Sequence, residues 1–83
     1  MMDEELGRLR WRCRRGMKEL DVLLIGYIDG AYRHADPDHQ EAFRRLLDCP
    51  DPTIYDYVLG QVQPPDAALA ALIRRITGTP NDR

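Results

Sequence analysis

The sequence predicts an all-α fold, a compact bundle of five short helices forming one domain over residues 1–83. Three observations carry this. Apolar residues recur at three- and four-residue spacing in five separate stretches. Asp-Pro pairs, glycines and prolines separate those stretches, as they do at helix starts and stops. No stretch alternates apolar and polar residues with period two, the pattern of a half-buried strand.

The first helix is expected over about residues 4–15, with Asp3 as its N-cap and Glu4 and Glu5 at the positive end of its dipole. Leu6, Leu9, Cys13 and Met17 form one apolar stripe, and Gly16 is expected to make a left-handed turn after it. The second and central helix is expected over about 17–33, where Leu20, Leu23, Leu24, Tyr27, Ile28, Ala31 and Tyr32 repeat with helical period. Val22 and Ile25 widen that face. Gly26 and Gly30 each cost about 1 kcal/mol of helix propensity against Ala, which close packing of a neighbour would explain. Asp36-Pro37 opens a third helix, 37–48, with Ala42, Phe43, Leu46 and Leu47 inward. Asp51-Pro52 repeats the signal for a fourth, 52–60, which buries Ile54, Tyr55, Val58 and Leu59 and stops at Gly60. The fifth, 65–77, follows Pro64-Pro65-Asp66 and buries Ala68, Leu69, Leu72, Ile73 and Ile76. Gly78 and Pro80 stop it, and the tail 78–83 is expected to be disordered.

Composition narrows the function. With 83 residues the chain is too short for a nucleotide-binding domain plus a substrate domain, or for a barrel. Serine is absent, so Ser-His-Asp chemistry is excluded. No glycine-rich phosphate loop occurs. His34 and His39 flank the Asp36-Pro37 turn and read as solvated loop residues. Cys13 and Cys49 lie in no C-x-x-C pair and read as buried thiols rather than metal ligands. An enzyme is not expected. The longest nearly apolar run, Val22 to Ile28, is far short of the roughly 20 residues that span a bilayer. The acidic start Met-Met-Asp-Glu-Glu has the wrong sign for a leader, so a cytoplasmic protein is expected.

The net charge of −2 conceals a basic pole. Arg8, Arg10, Arg12, Arg14, Arg15 and Lys18 fall within residues 8–18, which hold no acid. Such a pole steers an acidic partner. Its arginines would also suit phosphates, but a pI near 5.6 disfavours a nucleic-acid domain. Trp11 lies among them and reads as a packing residue. At the join of the first two helices, Gly16 leaves backbone bare between Arg15 and Glu19, a surface suited to docking. An Arg15–Glu19 ion pair and a helix-dipole role for Glu19 and Asp21 are the plain alternatives.

Trp11-Arg12-Cys13-Arg14-Arg15-Gly16-Met17-Lys18-Glu19-Leu20-Asp21 resembles the signature of the succinate dehydrogenase flavinylation factors, the succinate dehydrogenase assembly factor 2 family, whose hallmark is R-G-x-x-E. Tyr32, Phe43 to Cys49, Asp51-Pro52, Tyr57, Gly60, Pro65-Asp66 and Leu69 extend the likeness over about residues 6–76. The resemblance implies a five-helix bundle. It also implies a chaperone that binds the flavoprotein subunit of succinate dehydrogenase, and in some bacteria of fumarate reductase, and promotes covalent attachment of FAD. The factor itself carries no cofactor. The resemblance puts Arg15, Gly16 and Glu19 at the partner interface, with Asp21, Arg8 and Arg12 extending it. Arg15 would pair with a partner carboxylate. An antitoxin-like or regulatory protein-binding module is the rival expectation, and a monomer or weak dimer is expected in either case.

Overall fold

Side-chain caps decide where two of the helices begin. In the computed structural model, which describes residues 2–78, Asp36 accepts a hydrogen bond from the His39 N–H at 3.0 Å, and Asp66 accepts one from the Leu69 N–H at 2.8 Å. These caps open α3 (Pro37–Leu47) and α5 (Ala67–Thr77). The remaining helices are α1 (Met2–Arg12), α2 (Lys18–Asp29) and α4 (Asp51–Leu59), with a 3-10 turn over Ala31–His34. No strand occurs among the described residues. The tail expected to be disordered lies, beyond Gly78, outside the described residues.

Several boundaries differ from expectation. Asp3 sits inside α1, which begins at Met2, so it is not the N-cap. That helix ends at Arg12 rather than Arg15. Its last turn tightens through bonds from the Cys13 N–H to the Leu9 and Arg10 carbonyls and from the Arg14 N–H to the Trp11 carbonyl. The central helix stops at Asp29, and Gly30 (φ −118°, ψ −79°) passes the chain into the 3-10 turn. The tightening brings Tyr32 inward, 1% exposed, with its ring 5.5 Å from Phe43 and 6.3 Å from Tyr27. Close packing does not explain Gly26, because an added Cβ there meets nothing within 4 Å. Val22 faces solvent at 64% exposure and does not widen the buried face. Leu59, expected inward on α4, is exposed as well. Pro50 precedes α4, so Asp51 and Pro52 occupy its first two positions and Asp51 is free for another task.

Leu20, Leu24, Phe43, Leu46, Ile54 and Leu72 are fully buried at the centre. Each such side chain contributes roughly 1.5–3 kcal/mol by leaving water. The broadest helix contact is α3 on α5, while α2 bridges α1 and α5 and α4 leans on α5. Cys13 is wholly buried against this core, which pushes its thiol up to about 11. Cys49 is only partly buried, and both thiols are free. His34 is exposed as expected, but His39 lies on α3 with Nδ1 3.2 Å from Asp36 Oδ1 and is no loop residue. The bundle thereby anchors both ends of the short segment between Arg12 and Lys18.

Candidate functional site: the loop between the first two helices

That segment is held by one guanidinium. Arg15 donates from Nε to Asp51 Oδ1 at 2.8 Å, and from its two terminal nitrogens to the carbonyls of Arg12 (3.3 Å), Leu47 (2.9 Å) and Cys49 (2.7 Å). Its side chain is only 16% exposed. The fork thus ties together the end of α1, the end of α3 and the start of α4, supplying donors to carbonyls that helix termini leave without partners. The Arg15 backbone N–H is bound in turn by Asp21 Oδ1 at 2.8 Å. Asp21 therefore fastens the loop to α2, a more specific task than a helix-dipole charge.

Directly after this anchored residue the chain turns through Gly16 at φ +84°. Gly16 is exposed, and a Cβ built on it meets nothing within 4 Å. Its conformation, rather than internal crowding, requires glycine: an L side chain in the left-handed region costs roughly 1–2 kcal/mol. The clearance lies entirely on the outside.

Glu19 stands on the first turn of α2, exposed. It does not pair with Arg15. The Tyr55 hydroxyl of α4 donates to Glu19 Oε1 at 3.2 Å. That bond to the carboxylate raises the Tyr55 phenol above its ordinary value. One carboxylate oxygen is thereby oriented by the protein, and the group as a whole faces solvent.

The basic pole is half neutralised on folding. Arg10 forks onto Asp29 at 2.9 and 3.2 Å, Arg12 bonds Asp48, and Arg15 bonds Asp51. The Arg10 bond holds the Asp29 carboxyl below its ordinary value. Among the described residues Arg8, Arg14 and Lys18 make no ion pair. Trp11 is not a packing residue: it is 71% exposed, with the Arg14 guanidinium 5.6 Å from its ring centre.

Of the six residues singled out from sequence, Arg15, Gly16, Glu19 and Asp21 are thus gathered at one loop. Arg12 adjoins it through the carbonyl that Arg15 binds, and Arg8 stands one turn from Trp11 on α1. Two residues escaped the sequence reading. Asp51 read as a helix start and Tyr55 as part of an apolar face, and no local signal links either to a loop 36 residues away. Among the described residues no group of three or more His, Cys, Asp or Glu side chains is arranged to hold a metal. The site offers bare backbone, a carboxylate oriented by Tyr55 and cations that form no ion pair among the described residues.

A family model described as the flavinator of succinate dehydrogenase matches residues 7–79. The chain is 43% identical over 77 residues to the FAD assembly factor SdhE of Coxiella burnetii, covering 90% of this chain and 94% of that protein. It is 49% identical over 70 residues to the protein of the same name from Methylococcus capsulatus, covering 84% of each. Against that of Pseudomonas aeruginosa it is 43% identical over 77 residues, covering 92% of each. With the loop, its anchors and these likenesses together, the chain belongs to the succinate dehydrogenase flavinator family of FAD assembly factors.

Proposed function

We propose that this protein is an FAD assembly factor that docks through its Gly16 loop onto the flavoprotein subunit of succinate dehydrogenase, and onto that of fumarate reductase, in the cytoplasm. It acts without a cofactor of its own. The observation that carries the reading is the construction of the loop: an exposed left-handed glycine next to Arg15, whose side chain is fastened by Asp51 and whose N–H is fastened by Asp21, beside a carboxylate oriented by Tyr55. A rigid, bare surface loses little conformational freedom on binding. No described helix is long and apolar enough to cross a membrane.

The mechanism is differential binding. A factor that binds one conformer of the flavoprotein more tightly shifts the population toward it. If that conformer aligns the flavoprotein's acceptor side chain with the flavin ring, proximity speeds the attachment, which is then made within the flavoprotein. Gly16 gives the partner close approach, and Glu19 accepts from a partner donor. Arg15 supports this geometry from inside the fold, since four hydrogen bonds already engage its guanidinium. Arg8 and Arg12 extend the footprint along α1.

The test compares Gly16→Ala with Gly16→Arg. The left-handed turn penalises any Cβ, so both variants lose a similar roughly 1–2 kcal/mol of stability. Only the long side chain also holds a partner away. Flavin fluorescence of the denatured flavoprotein band, from cells lacking this protein and resupplied with each variant, should persist with Gly16→Ala and vanish with Gly16→Arg. Equal flavin attachment with and without the wild-type protein would refute the proposal.

A further inference from the structure

Trp11 stands at the middle of an uncovered surface. Leu9 and Cys13 turn inward, and Trp11, about 200° around the helix from each, turns outward. Its indole lies among Glu4, Gly7, Arg8 and Arg12, where the absent side chain of Gly7 leaves a shallow floor. Arg14 covers one side of the ring at 5.6 Å, and the residue as a whole is 71% exposed. A tryptophan carries one of the largest apolar surfaces of any side chain, and the fold gains almost nothing from this one.

We infer that Trp11, with Arg8 and Arg14, is the anchor of a second docking surface on α1, and that its occupant is an acidic segment of the same flavoprotein partner. The inference rests on the docking reading given above for the Gly16 loop. Continuity with that loop supports it: Arg12 lines the Trp11 surface, its carbonyl is held by Arg15, and Arg14 stands two residues from Gly16. Charge selects the occupant. Arg8 and Arg14 make no ion pair among the described residues, while the acids that meet the rest of the pole come from elsewhere in this chain. A second copy fits poorly, because a two-fold contact through this face would bring the same cations together. A nucleic acid fits poorly as well, since folding neutralises half the pole and the chain carries a net charge of −2. Tryptophan and arginine are the side chains on which interface energy concentrates.

Trp11 is the one tryptophan of the chain, so 5-fluorotryptophan labelling gives a single fluorine resonance that reports on this surface alone. The labelled protein is titrated with the unlabelled flavoprotein subunit of succinate dehydrogenase, and dissociation constants are measured for the unlabelled variants by calorimetry. The resonance should shift on binding. Trp11→Ala should weaken binding by roughly tenfold or more with an unchanged melting temperature. Arg8→Gln with Arg14→Gln should flatten the salt dependence of the affinity. If the wild type binds and Gly16→Arg does not, yet Trp11→Ala binds within about twofold of wild type, this inference falls and the loop reading stands. A resonance that shifts only with protein concentration or on adding oligonucleotide also overturns it. If the wild type does not bind the flavoprotein at all, both readings fall together.

Discussion

Removing the Arg15 side chain should unfold the site before it affects any contact with a partner. The guanidinium makes four hydrogen bonds, one to the Asp51 carboxylate and three to carbonyls at helix ends, from a position only 16% exposed. Hydrogen bonds to charged groups contribute about 1.5–3 kcal/mol each, but the freed carbonyls lie near the surface and regain water. A net loss of about 3 kcal/mol for Arg15→Ala is therefore expected. For a chain of this length, total stability is on the order of 4–12 kcal/mol. With a urea dependence of about 1 kcal/mol per molar, the unfolding midpoint should fall by about 3 M. Arg15→Lys keeps the charge but not the planar fork, and should recover only part of the loss, leaving it about 2 M below wild type. The assay is urea unfolding followed by circular dichroism. A midpoint for Arg15→Ala within about 0.5 M of wild type at unchanged slope would refute the argument. If that variant stayed folded yet lost flavin attachment, Arg15 would instead be a direct partner contact.

Two further outcomes follow from the hydrogen bonds around the bundle. Tyr55→Phe should leave the melting temperature nearly unchanged and weaken flavoprotein binding several-fold, yet add nothing once Glu19 is alanine. A double-mutant cycle by calorimetry checks this, and additive losses would show that Tyr55 does not act through Glu19. At acid pH, Asp66 and Asp29 each give up a small stabilising contribution. The bond from Arg45, then that from the Leu69 N–H, holds Asp66 below its ordinary 3.8, and the Arg10 bond does the same for Asp29. Lowered carboxyls stabilise the fold above the unfolded value and lose that contribution as pH falls through the folded one. Asp66→Asn retains a capping oxygen but loses the charge, so its melting temperature should fall less steeply than wild type below about pH 4. An unchanged acid limb would count against this pairing.

The parts legible in the sequence were those fixed by neighbours. Asp36 bonds an N–H group three residues on, so the start of α3 could be read locally, while α5, expected from 65, begins at Ala67 after the Asp66 cap. Gly60 and Gly78 take the left-handed conformation expected at helix ends. The break at Gly30 was not legible, because the gain from turning Tyr32 onto Tyr27 and Phe43 is tertiary. The bare Gly16 turn could be anticipated from its motif. What holds that turn could not: Leu47, Cys49 and Asp51 lie 32 to 36 residues from Arg15. The same distance hid the acids that fold onto the basic pole, and with them the fact that Arg8 and Arg14 form no ion pair among the described residues.

The R-G-x-x-E motif is therefore three different tasks rather than one contact surface. Arg15 faces inward and fixes the loop, Gly16 provides clearance, and Glu19 presents a carboxylate outward. Both of the outer two depend on α4. Asp51 and Tyr55 stand four residues apart on that helix and so share a face, one holding Arg15 and the other Glu19. That face sets the two ends of the motif relative to each other. A rotation of α4, or a substitution in the core residue Ile54 that lets it shift, would displace the cation and the carboxylate together while leaving every motif residue intact. On the docking reading proposed above, variants distant from the loop in sequence should thus weaken binding. Between Arg12 and Lys18, apolar packing takes hold of Cys13 and in part of Met17, and the hydrogen bonds of Arg15 and Asp21 fix the polar backbone between those two points.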